Sequence, residues 1–88
     1  MQIELVPSLS HCIETTAKQE FWKSVDEYME KQGDKQLGER IELLKAFVES
    51  VDFSRLRCES EKHLVEGKKV RFTVRWRGNK PHYEMVVD

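Results

Sequence analysis

The chain has 88 residues, of which 39% are apolar and 35% charged, with a formal net charge of −1. That length holds one α+β domain, residues 1–88, and the composition is too apolar for a disordered chain. No apolar run exceeds three residues, as in Ala46-Phe47-Val48, which excludes a membrane-spanning helix and a signal-peptide core.

Two cysteines provide no disulfide framework, so the chain reads as a cytoplasmic protein of a reducing compartment. Charge is unevenly placed. Residues 1–50 carry six Lys/Arg against ten Asp/Glu, net −4, and residues 51–88 carry nine against six, net +3. A basic back half points to an anionic partner, nucleic acid or an acidic protein, and the acidic front half offers it internal neutralisation instead.

In chain order, Gln2-Ile3-Glu4-Leu5-Val6 alternates polar and apolar up to Pro7 and predicts a short strand. A first helix follows, capped by Ser10 or by Thr16, with Phe21, Val25, Tyr28 and Met29 as its apolar stripe and Trp22 widening it. Gly33 ends it in a left-handed cap, and Asp34 caps a second helix over residues 35–51. Leu37, Ile41, Leu44, Phe47, Val48 and Val51 form that helix's inner face. Gly38 within it points to close approach of the two helices, which the short connection makes antiparallel.

From residue 53 the apolar period reads as two. Leu56, Cys58, Ser60 and Leu64 alternate with Arg55, Arg57, Glu59, Glu61 and His63, which predicts a strand ending in a turn at Glu66-Gly67-Lys68. Val70, Phe72, Val74 and Trp76 alternate with Lys69, Arg71, Thr73, Arg75 and Arg77 in the strongest strand signal of the chain. A turn over Gly78-Asn79-Lys80-Pro81 leads to a last strand with Tyr83, Met85 and Val87 on one face. The expected fold class is α+β, a two-layer sandwich in the order strand-helix-helix-strand-strand-strand, with a helical hairpin on an antiparallel sheet.

Register sharpens the functional question. A three-residue loop at 66–68 sets Glu59 opposite Arg75, His63 opposite Arg71 and Cys58 opposite Trp76. A second hairpin sets Arg75 opposite Glu84 and Arg71 opposite Asp88. Those pairs make a salt-bridge lattice, and Arg55, Arg57, Lys68, Lys69, Arg77 and Lys80 stay largely uncompensated. With Arg71 and Arg75 they are the candidate binding residues of a basic sheet face, suited to a phosphate backbone or an acidic protein surface. Phe21, Trp22, Tyr28, Phe47, Phe72 and Trp76 lie on apolar faces and read as core, not as a base-stacking platform.

Catalytic signatures are absent. There is no phosphate-binding glycine loop, nucleophile elbow or paired-cysteine knuckle. Cys58 and His63 differ by an odd number on the expected strand and face opposite ways, and His11 and Cys12 are adjacent, so no metal, cofactor or Cys–His nucleophile is expected. The chain reads as a non-catalytic binding module with no membrane partner, monomeric or weakly dimeric through an open edge at His82–Asp88.

The run Gly67-Lys68-Lys69-Val70-Arg71-Phe72-Thr73-Val74, a glycine before a central strand with an arginine in its hydrophobic alternation, together with the element order, resembles the RelE/ParE toxin superfamily. Ribosome-dependent members of that family cleave mRNA with basic sheet residues and a C-terminal tail. The resemblance implies that Arg71, with Arg55, Arg57 and Arg75, contacts phosphate. Tyr83 stands at the wrong strand position to replace a tail tyrosine. The sequence stops at Asp88, directly after the last strand, and its helices are acidic. These departures imply a non-catalytic relative or a poison of a protein target.

Overall fold

Five of the expected elements form where patterning places them, and the sixth changes type. The computed structural model describes residues 1–88, as strand β1 (Gln2–Leu5), helices α1 (Ile13–Glu30), α2 (Lys35–Ser50) and α3 (Phe53–Val65), and strands β2 (Val70–Arg77) and β3 (Lys80–Val87). The strands make one antiparallel sheet in the order β1-β2-β3, with all three helices packed on its apolar face. The two-layer α+β class holds. The order is strand-helix-helix-helix-strand-strand, with three helices in place of a hairpin.

Residues 53–65 form a helix, and the physical reasons are local. Asp52 caps it, its carboxylate accepting from the Arg55 amide at 3.3 Å. Arg55–Glu59 and Arg57–Glu61 are i,i+4 ion pairs along its exposed side, at 3.1 and 2.8 Å. Leu56 and Ser60 are buried one helical turn apart, with Leu64 a turn further and packed against the core. Gly67 closes the helix instead of turning a hairpin. At φ +82° its amide reaches Leu64 O, and the Lys68 amide reaches His63 O, both at 3.0 Å, a Schellman arrangement. The register built on a strand here therefore falls. Glu59, His63 and Cys58 pair with no residue of β2, and Cys58 is exposed.

Helix α1 starts at neither expected cap. Cys12 is its N-cap, and the buried residues are Ile13, Ala17 and Ser24, so the inner face is rotated from the expected stripe. Trp22 and Met29 are 62% and 68% exposed, and Tyr28 and Trp76, each 36% exposed, also reach solvent, so Trp22, Tyr28 and Trp76 are not core. A polar link joins α1 to α2: Arg40 donates to Ser24 Oγ at 3.1 Å and to Glu20 at 2.8 Å. Gly33, at φ +89°, and Asp34, which accepts from the Gln36 and Leu37 amides, make the expected connection. Gly38 is not a close-approach site, because a methyl there would meet Tyr28 at an ordinary 3.8 Å.

The core is Ile3, Leu5, Ile13, Ala17, Leu43, Leu44, Phe47, Leu56, Val70, Phe72 and Val74. Phe47 stands at its centre, edge-on to Phe53 and Tyr83 with ring centroids 5.9 Å apart in each pair. No helix is long and apolar enough to cross a membrane.

The helix assigns Leu56 and Cys58 opposite fates, whereas a strand would bury both. Leu56→Ala is expected to cost about 2–5 kcal/mol of unfolding free energy. Cys58→Ser should stay within about 0.5 kcal/mol. Urea denaturation of the two variants reads the difference directly.

Candidate anion-binding face

The alternation of β2 decides where charge can go. Val70, Phe72 and Val74 are buried under the helices, so Arg71, Thr73, Arg75 and Arg77 project from the uncovered side of the central strand. Pairing fixes their neighbours. On the β1 side Arg75 faces Gln2 and Thr73 faces Glu4; on the β3 side Arg71 faces Val86, Thr73 faces Glu84, Arg75 faces His82 and Arg77 faces Lys80. Arg75 opposite Glu84 and Arg71 opposite Asp88 are thus replaced by a register two residues away.

Acidic groups reach this face only diagonally. Arg71 Nη1 lies 3.7 Å from Glu4 and Arg75 Nη2 lies 3.7 Å from Glu84, whose Oε1 is also 3.6 Å from His82 Nε2. Contacts of that length are looser than the 2.7–2.9 Å of a charge-assisted hydrogen bond. Arg71 Nε is buried with no partner. At the hairpin end the cations have no acidic partner within 4 Å: Arg77 and Lys80 face each other across a two-residue turn in which Gly78 has φ +64°. Like charges directly opposite in a sheet oppose folding.

The eight candidate residues therefore separate. Arg71, Arg75, Arg77 and Lys80 share the open face, and Lys69 leads into it, its carbonyl accepting from the Asp88 amide at 2.9 Å. Lys68 lies in the preceding loop and is engaged by Glu66 at 3.0 Å, an interaction that holds the Glu66 carboxyl below its ordinary range. Arg55 and Arg57 belong to α3, in the helix layer. Arg57 is remote from the basic face, bound to Glu61, and lines a small hollow with Cys12. Arg55 shares a groove of about 480 Å³ with Lys80, Pro81 and Tyr83 beside the β3 edge. Sequence reasoning passed over His82 and Gln2 as members of the face; the β2–β3 and β1–β2 registers, which set them on either side of Arg75, were the missing signals.

Neither Trp76 nor Tyr83 lies on the open face, since both share the parity of Phe72 and Met85. The face therefore has cations and His82 but no Phe, Tyr or Trp side chain. The largest hollow, about 600 Å³, lies elsewhere along the outer side of α1 around Trp22. No three His, Cys, Asp or Glu side chains converge as metal ligands. Cys12 carries a perturbed thiol. The Thr15 hydroxyl, 3.4 Å from Sγ, and the backbone amides of Thr15 and Glu14 hold it below its ordinary value, with Arg57 adding to the effect.

A protein-family model matches residues 1–88. The chain belongs to that family. Its description names no activity or ligand. No curated protein and no solved structure matches the chain.

If the hairpin cations are kept at the expense of stability, removing one should help folding. Arg77→Glu, which places a carboxylate opposite Lys80, is expected to stabilise the protein by about 0.2–1 kcal/mol in thermal or urea unfolding. Independently, Cys12 should react with a disulfide reagent near neutral pH faster than the exposed Cys58, because thiolate is the reactive form. Comparing Cys12→Ser and Cys58→Ser proteins reads this rate.

Proposed function

We propose that the protein is a small non-catalytic binding module whose uncovered sheet face holds an anionic partner. The observation that carries this reading is the pairing of Arg77 with Lys80, two cations set opposite each other with no acidic partner and Arg75 one step along the strand. Such an arrangement works against the fold and becomes favourable when an anion lies across it. Guanidinium groups at alternate positions of β2 present forked donors suited to phosphate oxygens. With no Phe, Tyr or Trp on the face, recognition is one of charge and spacing, without a stacking platform for bases. The shared chemistry is that of a phosphodiester backbone or an acidic protein surface.

A toxin-like reading, with phosphoryl charge stabilised during RNA cleavage, has one supporting observation. Arg71 stands mid-sheet on the open face with its Nε unpartnered. Its signature is growth arrest on expression, abolished by Arg71→Ala.

Nucleic-acid binding, measured by fluorescence anisotropy with short RNA and duplex DNA, is expected to weaken steeply with salt. Arg77→Glu and Lys80→Glu should lower affinity across all sequences and flatten the salt slope by about one unit for each phosphate no longer neutralised. Arg57→Glu, on α3, should leave binding unchanged. Salt-insensitive binding, or equal effects of Arg57→Glu and Arg77→Glu, refutes the nucleic-acid form. Binding confined to acidic proteins selects the other partner class.

A further inference from the structure

The free edge of β3 is long and nearly unguarded. The Asp88 amide donates to Lys69 O, and hydrogen-bonded pairs recur every second residue in an antiparallel ladder. Residues 80, 82, 84 and 86 therefore direct their backbone toward β2. Tyr83, Met85 and Val87 direct theirs outward, where no further strand or backbone partner lies. Edge strands are commonly blunted by proline or lysine, and here Lys80 and Pro81 blunt only the first two of eight positions. The other edge, β1, is four residues long.

We propose that β3 pairs antiparallel with β3 of a second copy about a two-fold axis at Met85, joining two three-stranded sheets into one of six strands. Charge and backbone chemistry select this register from its neighbours. An axis at Glu84 sets Glu84 against the partner's Glu84. An axis at Val86 sets Glu84 against the partner's Asp88. Axes at Tyr83 or His82 bring Pro81, which has no amide hydrogen, into a bonded position. With the axis at Met85, Tyr83 pairs with the partner's Val87 and Met85 with the partner's Met85, so every outward amide from 83 to 87 finds a carbonyl. On the open face, His82 then lies opposite the partner's Asp88, and Glu84 opposite the partner's Val86. No like charges meet.

The inward side is compatible as well. Tyr83, Met85 and Val87 pack against the core of their own copy and are only partly buried. Pairing sets them against the same residues of the second copy, on the helix side of both sheets, and continues the apolar layer across the axis. A strand edge is small against a standard interface of about 1,600 Å², so association is concentration-dependent. The two basic faces become one, with the β2 strands about 14 Å apart.

Sedimentation velocity between about 10 μM and about 1 mM should show monomer converting to dimer. Hydrogen exchange over the same range should show the Tyr83, Met85 and Val87 amides gaining protection as dimer forms. Two variants test the register. Val86→Glu sits beside Arg71 in its own chain but opposite the partner's Glu84, twice per dimer, and should weaken association roughly 2- to 30-fold. Val86→Lys faces the same glutamates and should tighten it by a similar factor, thermal melts confirming that both variants fold. A monomer mass at about 1 mM overturns the proposal. So does a dimer whose three edge amides exchange as in the monomer, or one that both variants shift in the same direction.

Discussion

Everything in this molecule follows from β2 being the central strand of a sheet covered on one side only. A central strand has no free edge, so its side chains decide what lies against the two faces of the sheet. Val70, Phe72 and Val74 draw three helices onto one face. The intervening arginines then have nowhere to go but the other face, and a helix could not cover them without burying charge. Uncovered sheet and basic character are one fact seen twice.

Three helices over three strands also explain why α3 exists. Leu56 of α3 enters the core and Leu64 packs against it, while Phe53 at its start meets Phe47 of α2 edge-on. Phe47 thereby joins α2, α3 and, through Tyr83, β3. The same aromatic contact holds β3 against the helix layer although only one of its edges is bonded. An edge strand anchored through its side chains keeps its outward backbone in a fixed line, which is the condition for pairing with another strand.

Most of this was legible in the residues. The β2 alternation, the caps at Gly33 and Asp34 and the two-layer class are local signals, and they hold. The failure at 53–65 is instructive because its pattern satisfies two periods at once. Leu56, Cys58, Ser60 and Leu64 alternate, yet Leu56, Ser60 and Leu64 are also spaced by four. The deciding features were the Asp52 cap, two Arg–Glu pairs at i,i+4, and the lack of any β-branched residue before Val65. That error carried Arg55 and Arg57 onto the sheet, where Lys69, Arg71, Arg75, Arg77 and Lys80 make the basic cluster without them. On α1, the large side chains Trp22 and Met29 suggested an inner face that the small residues Ala17 and Ser24 occupy instead. Close helix packing favours small side chains, and hydrophobicity alone does not show this.

The division of charge between halves of the sequence becomes a division between layers in space. Helix α1 carries five acidic side chains against two lysines, and it lies on the covered side of the sheet. The sheet segments 2–5 and 69–88 carry five Lys/Arg against three Asp/Glu, and these project on the other side or at its ends. A net charge of −1 therefore conceals a dipole running across the layers. Such a field turns an approaching polyanion toward the open face and away from α1, and its reach falls with ionic strength over a Debye length of about 8 Å at physiological salt. If the open face holds an anion as proposed, orientation before contact would let a nearly neutral protein use it, because the repulsive side is held a full helix layer away from the attractive one.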